Sequence, residues 1–565
     1  MRRDLPATLA ASLSVCALAL ALAAPGAGQG VAPAPVQTPP VASPLPMETA
    51  PPGWATPGPT TSPGPIASPT PAPAATPTYP PISTDPTSVD LVYHQTATIR
   101  VMGVLGQVHA TSTEPQIVQI QDVDQSRQQI AIYGEKLGIA HVVIADDRGV
   151  STSVWVRVAY QAGFPADYVE TKITGDPATA DYVRRAAAAA AAQAASNLRP
   201  GAKVQAVPGE VQGARDLPLD DVETVRVPVA VSGDPYITVR GTTTVRVENY
   251  AQPRIKPISL LVSDYPETIT ENGVLFSETL QTNQPARFLY YHYNEPGSAD
   301  RRILLKLTND GDQPALVQYI SGPAAPTPYV LEGGHLSTMR FLVHVARNEG
   351  TVVTVPAKST INLIDQEFPA GTLISNLLQL RELNGKPLQL TLLVQNFDAP
   401  VDSMPAGTTL LQSKVKHARG VYPIPEFFFD YTYFVGSSSL EVPIGEIPLP
   451  NLRRGEALGG DYGVLQSITI TMVNRTNQAA PLALYENPHG GTATATYVID
   501  GNVVLSHPVK AFTKYMVRQY LVPAHGFVRT KITTMPEGGS SYPLYLIVAP
   551  DDGSVAPGAP GSPIS

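Results

Sequence analysis

From residue 89 to residue 550, short apolar-polar alternations recur, broken by glycine, proline and Asn/Asp turns. Residues 93–101, 117–121, 129–133, 139–145 and 151–159 alternate with period two, the pattern of half-buried strands. Val154, Val156 and Val158 fall on one face, Trp155 and Arg157 on the other. Gly134, Gly138 and Asp147-Arg148-Gly149 supply the turns, so residues 89–162 are expected to form a small immunoglobulin-like sandwich. Between 163 and 252 the period changes once. Asp176 can cap a first turn, Pro177 suits its first position, and an alanine-rich run continues to Asn197 before Pro200-Gly201. That order predicts a helix packed on the strands expected at 168–174, 203–207, 222–231 and 236–248, a small α+β domain.

The pattern from 253 to 550 is again β. Hairpin dipeptides recur at Asn272-Gly273, Asp310-Gly311, Asn384-Gly385 and Asp500-Gly501. Two stretches look alike. Residues 303–307, Asn309, Gln313-Pro314-Ala315 and Gly333 are echoed by 468–472, Asn474, Gln478-Ala479-Ala480 and Gly501, and each stretch closes near a Val-Pro, Val355-Pro356 and Val522-Pro523. This predicts a duplication: two β-sandwiches, 253–415 and 416–550, divided near 413–420, with a disordered tail at 551–565. The expected class is mainly β and multidomain: an Ig-like sandwich, a small α+β domain and two β-sandwiches after a disordered Pro-rich linker.

The front of the chain sets the expected compartment. Arg2 and Arg3 precede an Ala/Leu-rich stretch over 9–24 and small residues at Gly26, Ala27 and Gly28, the order of a secretory signal peptide over 1–27. Residues 28–88 are rich in Pro, Ala, Thr and Ser, which favours extended polyproline II and a tether reaching on the order of 150 Å at about 3.1 Å per residue. The single cysteine, Cys16, lies in the apolar stretch, so a processed chain would have neither disulfides nor thiolate metal ligands. A secreted chain, periplasmic or at the cell surface, is expected, with no transmembrane span after signal cleavage. The 38 basic and 47 acidic residues give a net charge of −9 with no basic run, which argues against nucleic acid.

Two resemblances bear on setting. Residues 96–101, Pro115-Gln116-Ile117-Val118, Ile130-Ala131-Ile132-Tyr133-Gly134, 138–143 and 147–158 resemble the N-terminal domain of tight-adherence pilus secretins and the bacterial Ig-like group 2 domain. That implies an Ig-like fold in an envelope setting; the secretin pore domain is not recognisable. Residues 263–267, Gly273-Val274-Leu275, Arg287 and Tyr290-Tyr291-His292-Tyr293-Asn294 are similar to a secreted β-domain accompanying copper amine oxidase N-terminal-like modules. The oxidase chemistry does not follow, because the quinone-forming Thr-x-x-Asn-Tyr-Asp/Glu string is absent; Arg246-Val247-Glu248-Asn249-Tyr250-Ala251 lacks both threonine and acid.

Motifs for catalysis are also missing. No His-Glu-x-x-His or Gly-x-Ser-x-Gly occurs, and Asn384-Gly385-Lys386-Pro387 has proline where a phosphate loop needs Ser/Thr. His335 and His344, nine apart on an expected strand, are not expected to converge on a metal. No enzyme activity, catalytic residue, metal or cofactor is expected. Two aromatic clusters remain as candidate ligand or partner surfaces: Tyr290, Tyr291, His292 and Tyr293; and Phe427, Phe429, Tyr431 and Tyr433, whose alternation sets them opposite Phe428, Asp430, Thr432 and Phe434. The expected role is a non-catalytic structural, adhesive or assembly protein of the bacterial envelope, with envelope proteins as partners. The alternative is carbohydrate or cell-wall binding, with a surface glycan as partner.

Overall fold

A computed structural model describes residues 81–400, 408–555 and the backbone of 562–563. The signal segment and nearly all of the Pro-rich tether lie outside these residues. The described chain is mainly β and built from several sheets.

The first domain is a sandwich of two four-stranded sheets. Its core is aliphatic, with Ile99, Ile130, Ile132, Val142, Ile144, Val154 and Val156 all buried, and Trp155 faces outward as its alternation requires. The domain begins before residue 89. Ser83–Asp85 pairs with Thr96–Met102, and Ser88–Val92 lies parallel to Ser151–Ala159. The expected linker runs to 88 because Ser83, Thr84 and Asp85 are too polar to reveal a strand whose one buried residue is Thr84.

The α+β segment has the expected β-α-β-β-β order, with helix α1 at Ala180–Gln193. The helix starts later than predicted: Thr179, not Asp176, is its N-cap and accepts from Tyr182 N at 3.3 Å. The segment has its own buried cluster, with Ile173, Val183, Ala187, Val227 and Val245, but it shares a sheet with the region that follows. Its strand Tyr168–Thr174 pairs antiparallel with Gly350–Val355, so both belong to one eleven-stranded sheet. Buried polar groups fix that seam. Thr174 Oγ1 donates to Asn348 O at 2.7 Å and accepts from Gln318 Nε2 at 3.1 Å, and buried Glu349 accepts from Thr179 N at 3.0 Å.

The first large sandwich closes this sheet against a four-stranded sheet of Gly273–Leu280, Leu388–Asn396, Arg301–Asn309 and Ser359–Phe368. Leu305, Leu307, Phe288, Phe368, Leu378 and Leu392 fill the space between them. On the outer face lies helix α2 (Val330–Arg347), which no sequence signal announced. Gly333, Gly334, Ser337 and Thr338 are weak helix formers, and the helix is held by Phe341 and Leu342 in a buried cluster with Leu289, Ile320 and Leu377. Asn348, at φ 57°, ends it in a left-handed cap.

The second sandwich packs a six-stranded sheet against the four strands Leu440–Ile444, Leu544–Pro550, Ala480–Pro488 and Tyr515–Val522. Its boundary falls later than 415, because Arg419–Tyr422 pairs with Ser259–Ser263 in the large sheet. Within the expected tail, Val555 packs against a buried cluster containing Tyr485 and Met516, and the backbone of Ser562–Pro563 pairs with Asn502–Leu505.

The echo between the two stretches is visible atom by atom at their asparagines. Asn309 Nδ2 donates to Gln313 O at 2.9 Å and to Val355 O at 3.1 Å, while its Oδ1 accepts from Gly311 N. Asn474 Nδ2 donates to Gln478 O at 2.7 Å and to Val522 O at 3.1 Å, while its Oδ1 accepts from Thr476 N. Lys358 and His525 follow the two Val-Pro turns at φ 53° and 49°. Gly333 and Gly501 are not equivalent, since one lies in α2 and the other in the turn after Thr496–Ile499. Of the hairpin dipeptides only Asp500-Gly501 closes a two-residue hairpin; Asp310-Gly311 and Asn384-Gly385 carry the chain between facing sheets, and Asn272-Gly273 leads into a strand pairing elsewhere. Each asparagine spans an arch that no backbone ladder closes. Replacing Asn309 or Asn474 with Ala should cost about 2–4 kcal/mol, measured by chemical denaturation, because two carbonyls and an amide lose their partner; a loss below about 0.5 kcal/mol would contradict this role.

Candidate functional site

Of the eight residues in the two candidate aromatic clusters, four are buried and four half-buried. Ala286–Asn294 runs between Ser259–Ser263 and Leu373–Asn384 and is covered on both faces. Tyr290 is fully buried and accepts from Asn376 Nδ2 at 3.2 Å; Tyr291 is buried with its hydroxyl 3.4 Å from Val330 O. His292 is fully buried. Its Nδ1, 2.8 Å from Pro266 O, must donate, so Nε2 accepts from Ser263 Oγ at 3.1 Å. Burial pushes its pKa down to about 4 and the ring is neutral. Tyr293 is half-buried. Three of the four are therefore buried, and only Tyr293 keeps part of its surface.

The strand Glu426–Phe434 shows the predicted alternation with the opposite face exposed. Tyr433 is 2% accessible, and Phe429 and Tyr431 pack on the same core. Phe427 packs against a neighbouring buried cluster with Tyr422 and Leu449. The face left open carries Phe428, Asp430, Thr432 and Phe434, with Phe428 60% accessible. Period two separated the two sets, but which one met the second sheet depended on a pairing that the sequence does not encode locally.

The open face continues across the sheet. Glu426–Phe434 lies parallel to Leu465–Val473, which pairs antiparallel with Phe527–Thr534. In register, Phe434, Val473 and Phe527 form one end, with Phe527 64% accessible and the Arg475 guanidinium 4.6 Å from the Phe434 ring. Thr432, Thr471 and Arg529 form the next row, then Asp430, Thr469 and Lys531; Arg529 reaches Asp430 at 3.7 Å. Phe428 ends the strip, with Lys256 Nζ 4.0 Å from its ring centroid. Five residues of strand separate Phe428 from Phe434, a span of about 20 Å at the usual rise. The surface is thus a polar strip with an aromatic platform at each end, on a strand at the margin of its sheet.

Titratable groups gather instead where the two sandwiches meet. Glu537 is fully buried, and both its oxygens are occupied: Thr496 Oγ1 donates to Oε1 and Thr494 Oγ1 to Oε2, each at 2.7 Å, while His335 Nδ1 lies 3.1 and 2.9 Å from the two. Burial pulls His335 down, but the hydrogen bond and charge of Glu537 outweigh it and hold the imidazole above its usual value. His335 and His344 sit on α2 rather than on a strand, and His344 turns to Ser321 O at 2.8 Å, so they do not converge. The helix approaches closely there: a Cβ on Gly334 would lie 1.8 Å from Gly538 O. Nearby, Tyr497 donates to buried Glu486 at 3.1 Å, and burial pushes that carboxyl up to about 8. These acids have protein partners and no side open to a substrate.

A second group lies at the edge of the large sheet. One ligand atom from each of Asp264, Glu267 and His417 fits within 4.8 Å of the others. No sequence spacing could flag it, because His417 follows the acids by more than 140 residues.

No protein-family model and no curated protein matches the chain. Among solved structures, carbohydrate-binding modules of the β-sandwich superfamily are 9% identical, cover 56% of this chain and 97% of theirs, and give a TM-score of 0.13. A SusE-like surface-located polysaccharide-binding protein of Bacteroides thetaiotaomicron is 11% identical over 40% of this chain and 43% of its own, at 0.12. Human mucin-like protocadherin EC1-2 is 12% identical over 30% and 97%, at 0.11. Likenesses this slight carry no argument about fold or function.

Two predictions follow the buried acids. His335→Ala leaves the Glu537 charge unpaired and should cost about 3–5 kcal/mol by denaturant titration at pH 7, whereas a surface ion pair would cost under about 1 kcal/mol. Glu486 has its folded pKa raised, so its stabilisation is complete below the unfolded value and fades as pH rises from about 4.5 to about 8. Glu486→Gln should therefore match the wild type near pH 4.5 and exceed it by a few kcal/mol, on the order of one pKa unit per 1.4 kcal/mol, at pH 8. Equal stability at both pH values would show the carboxyl ionised in the fold.

Proposed function

We propose that this chain is a non-catalytic extracytoplasmic protein of the bacterial cell envelope, structural or adhesive, acting by contact through a sheet face. One observation supports this most: the outer face of the second sandwich, where Phe428, Phe434 and Phe527 stand exposed around a strip of Asp430, Thr432, Arg529 and Lys531. Large apolar side chains left in water cost free energy that a partner would recover, about 25 cal/mol for each Å² covered. The three strands that carry this face are hydrogen-bonded neighbours in one sheet, which fixes the spacing of its side chains and lowers the ordering cost of binding. The signal-like front end and Pro-rich tether agree with presentation at a distance from a membrane or wall.

A second reading is favoured by the same strip: the partner is a glycan chain. Flat aromatic platforms flanking hydrogen-bonding and charged groups suit the two faces of a sugar, apolar C–H on one side and hydroxyls around the rim.

The test is sedimentation of the purified chain with cell-envelope fractions and with purified envelope polysaccharide. Phe428→Ala combined with Phe527→Ala should lower binding by at least about tenfold while leaving the melting temperature within a few degrees. Loss on the protein-bearing fraction alone supports a protein partner, and loss on polysaccharide supports a glycan. Unchanged binding of the double variant, or binding by neither preparation, removes this face from the function.

A further inference from the structure

The strands Ser259–Ser263 and Arg419–Tyr422 pair antiparallel at the margin of the large sheet, with Ser263 opposite Arg419. Just past that last pair, Asp264 N donates to Ala418 O at 3.0 Å, which sets Asp264 beside His417. Three residues on, Glu267 O accepts from Tyr293 N at 2.7 Å, which turns the loop back onto the sheet. The loop between the two acids is fixed from below and from the side. His292 binds Pro266 O, Arg419 Nη1 donates to Tyr265 O at 3.0 Å, and Tyr265 Oη receives Ser413 N at 2.8 Å and Lys416 Nζ at 3.0 Å. The backbone carrying the three side chains is therefore preorganised.

The side chains themselves are arranged as ligands. His417 Nδ1 lies 3.5 Å from Asp264 Oδ2 and 3.2 Å from Glu267 Oε2. Donors about 2.0–2.2 Å from a tetrahedral ion stand roughly 3.4 Å apart, close to both separations from the imidazole, and the two carboxylate oxygens lie within 4.8 Å of each other. On the Asp264 carboxylate, Oδ2 is the oxygen that faces His417, while Oδ1 is shut off from solvent and has no hydrogen-bond partner. A buried carboxylate oxygen without a donor costs about 1–3 kcal/mol or more, which a cation held by both oxygens of Asp264 would offset. Among the described residues, His417 is the one ion-pair partner of either acid; Lys416 and Arg419 are spent on Tyr265 and on main-chain carbonyls.

We propose that Asp264, Glu267 and His417 form a binding site for a divalent transition-metal ion, zinc by preference. One imidazole and two carboxylates give a donor set that suits zinc, whereas calcium takes six to eight oxygens and has little use for the ring. Two carboxylates and a neutral imidazole cancel the charge of the ion. The three side chains are only partly buried, so a fourth position faces solvent and takes water. The ion would tie the loop after one strand to a residue two before its partner strand, at the point where the chain leaves the first large sandwich for the second. This site is independent of the open aromatic face.

The test uses the full chain, stripped with a chelator and titrated with zinc by calorimetry. One equivalent should bind, and the melting temperature should rise with zinc concentration as mass action requires. His417→Ala and Glu267→Gln should each weaken binding by at least about tenfold. Glu267→Gln is chosen because that side chain is partly exposed and has no other polar side-chain partner, so the variant should fold; circular dichroism checks it. Cobalt in place of zinc should give visible absorption of tetrahedral strength, lost in the same variants. Zinc binding that is absent, or that persists unchanged in Glu267→Gln, overturns the site.

Discussion

The buried carboxylate of Glu537 is the constraint on which the joining of the two large sandwiches depends. An anion removed from water destabilises the fold by several kcal/mol unless every lone pair is met. Here two threonine hydroxyls come from its own sandwich and an imidazole comes from α2, which lies on the other. The helix is thereby set in place, and the absence of a side chain at Gly334 lets it close onto the Gly538 carbonyl. Fully buried Arg287 reinforces the junction from the other side, donating to Pro425 O and, at 3.0 Å, to Gly463 O. Neither group forms a substrate site. Both make the relative placement of the sandwiches specific, since a rotation would strand a charge.

Much of the architecture was legible from short-range pattern. Period two found the strands of the first domain, and Val154, Val156 and Val158 face its core as alternation required. The echo of Asn309 by Asn474 was legible because an arch needs an amide side chain that can both donate and accept, and that need recurs wherever the arch recurs. What could not be read depended on pairings between distant segments. Nothing in Tyr168–Thr174 says that it will adjoin Gly350–Val355, so a fused sheet looked like a separate domain. Helix α2 escaped because its composition favours contact over propensity: its glycines and small polar residues permit close approach on both sides.

The candidate sites show the same division. Alternation separated the residues of Glu426–Phe434 into two faces correctly, yet the set expected at the surface is the buried one. A strand with aromatics on both faces carries no local sign of which side meets the second sheet. The tyrosines of Ala286–Asn294 were misplaced for a related reason, because a strand covered on both faces has no polar side to betray it. Acids and histidines from remote segments were invisible to motif spacing, and folding alone brings His417 to Asp264 and His335 to Glu537.

The eleven-stranded sheet also determines where this polypeptide can be divided. A cut near residue 252 would strip a neighbour from Gly350–Val355, and one near 415 would take Arg419–Tyr422 from its partner, each leaving a raw, sticky margin. At residues 160–163, by contrast, no ladder is interrupted; the crossing is held by a single bridge from Gln161 to Ile237 and by Arg199 stacked 4.2 Å over Tyr160. Division there would leave every ladder of the small leading sandwich, and every ladder of the sheets that follow, with its strands intact.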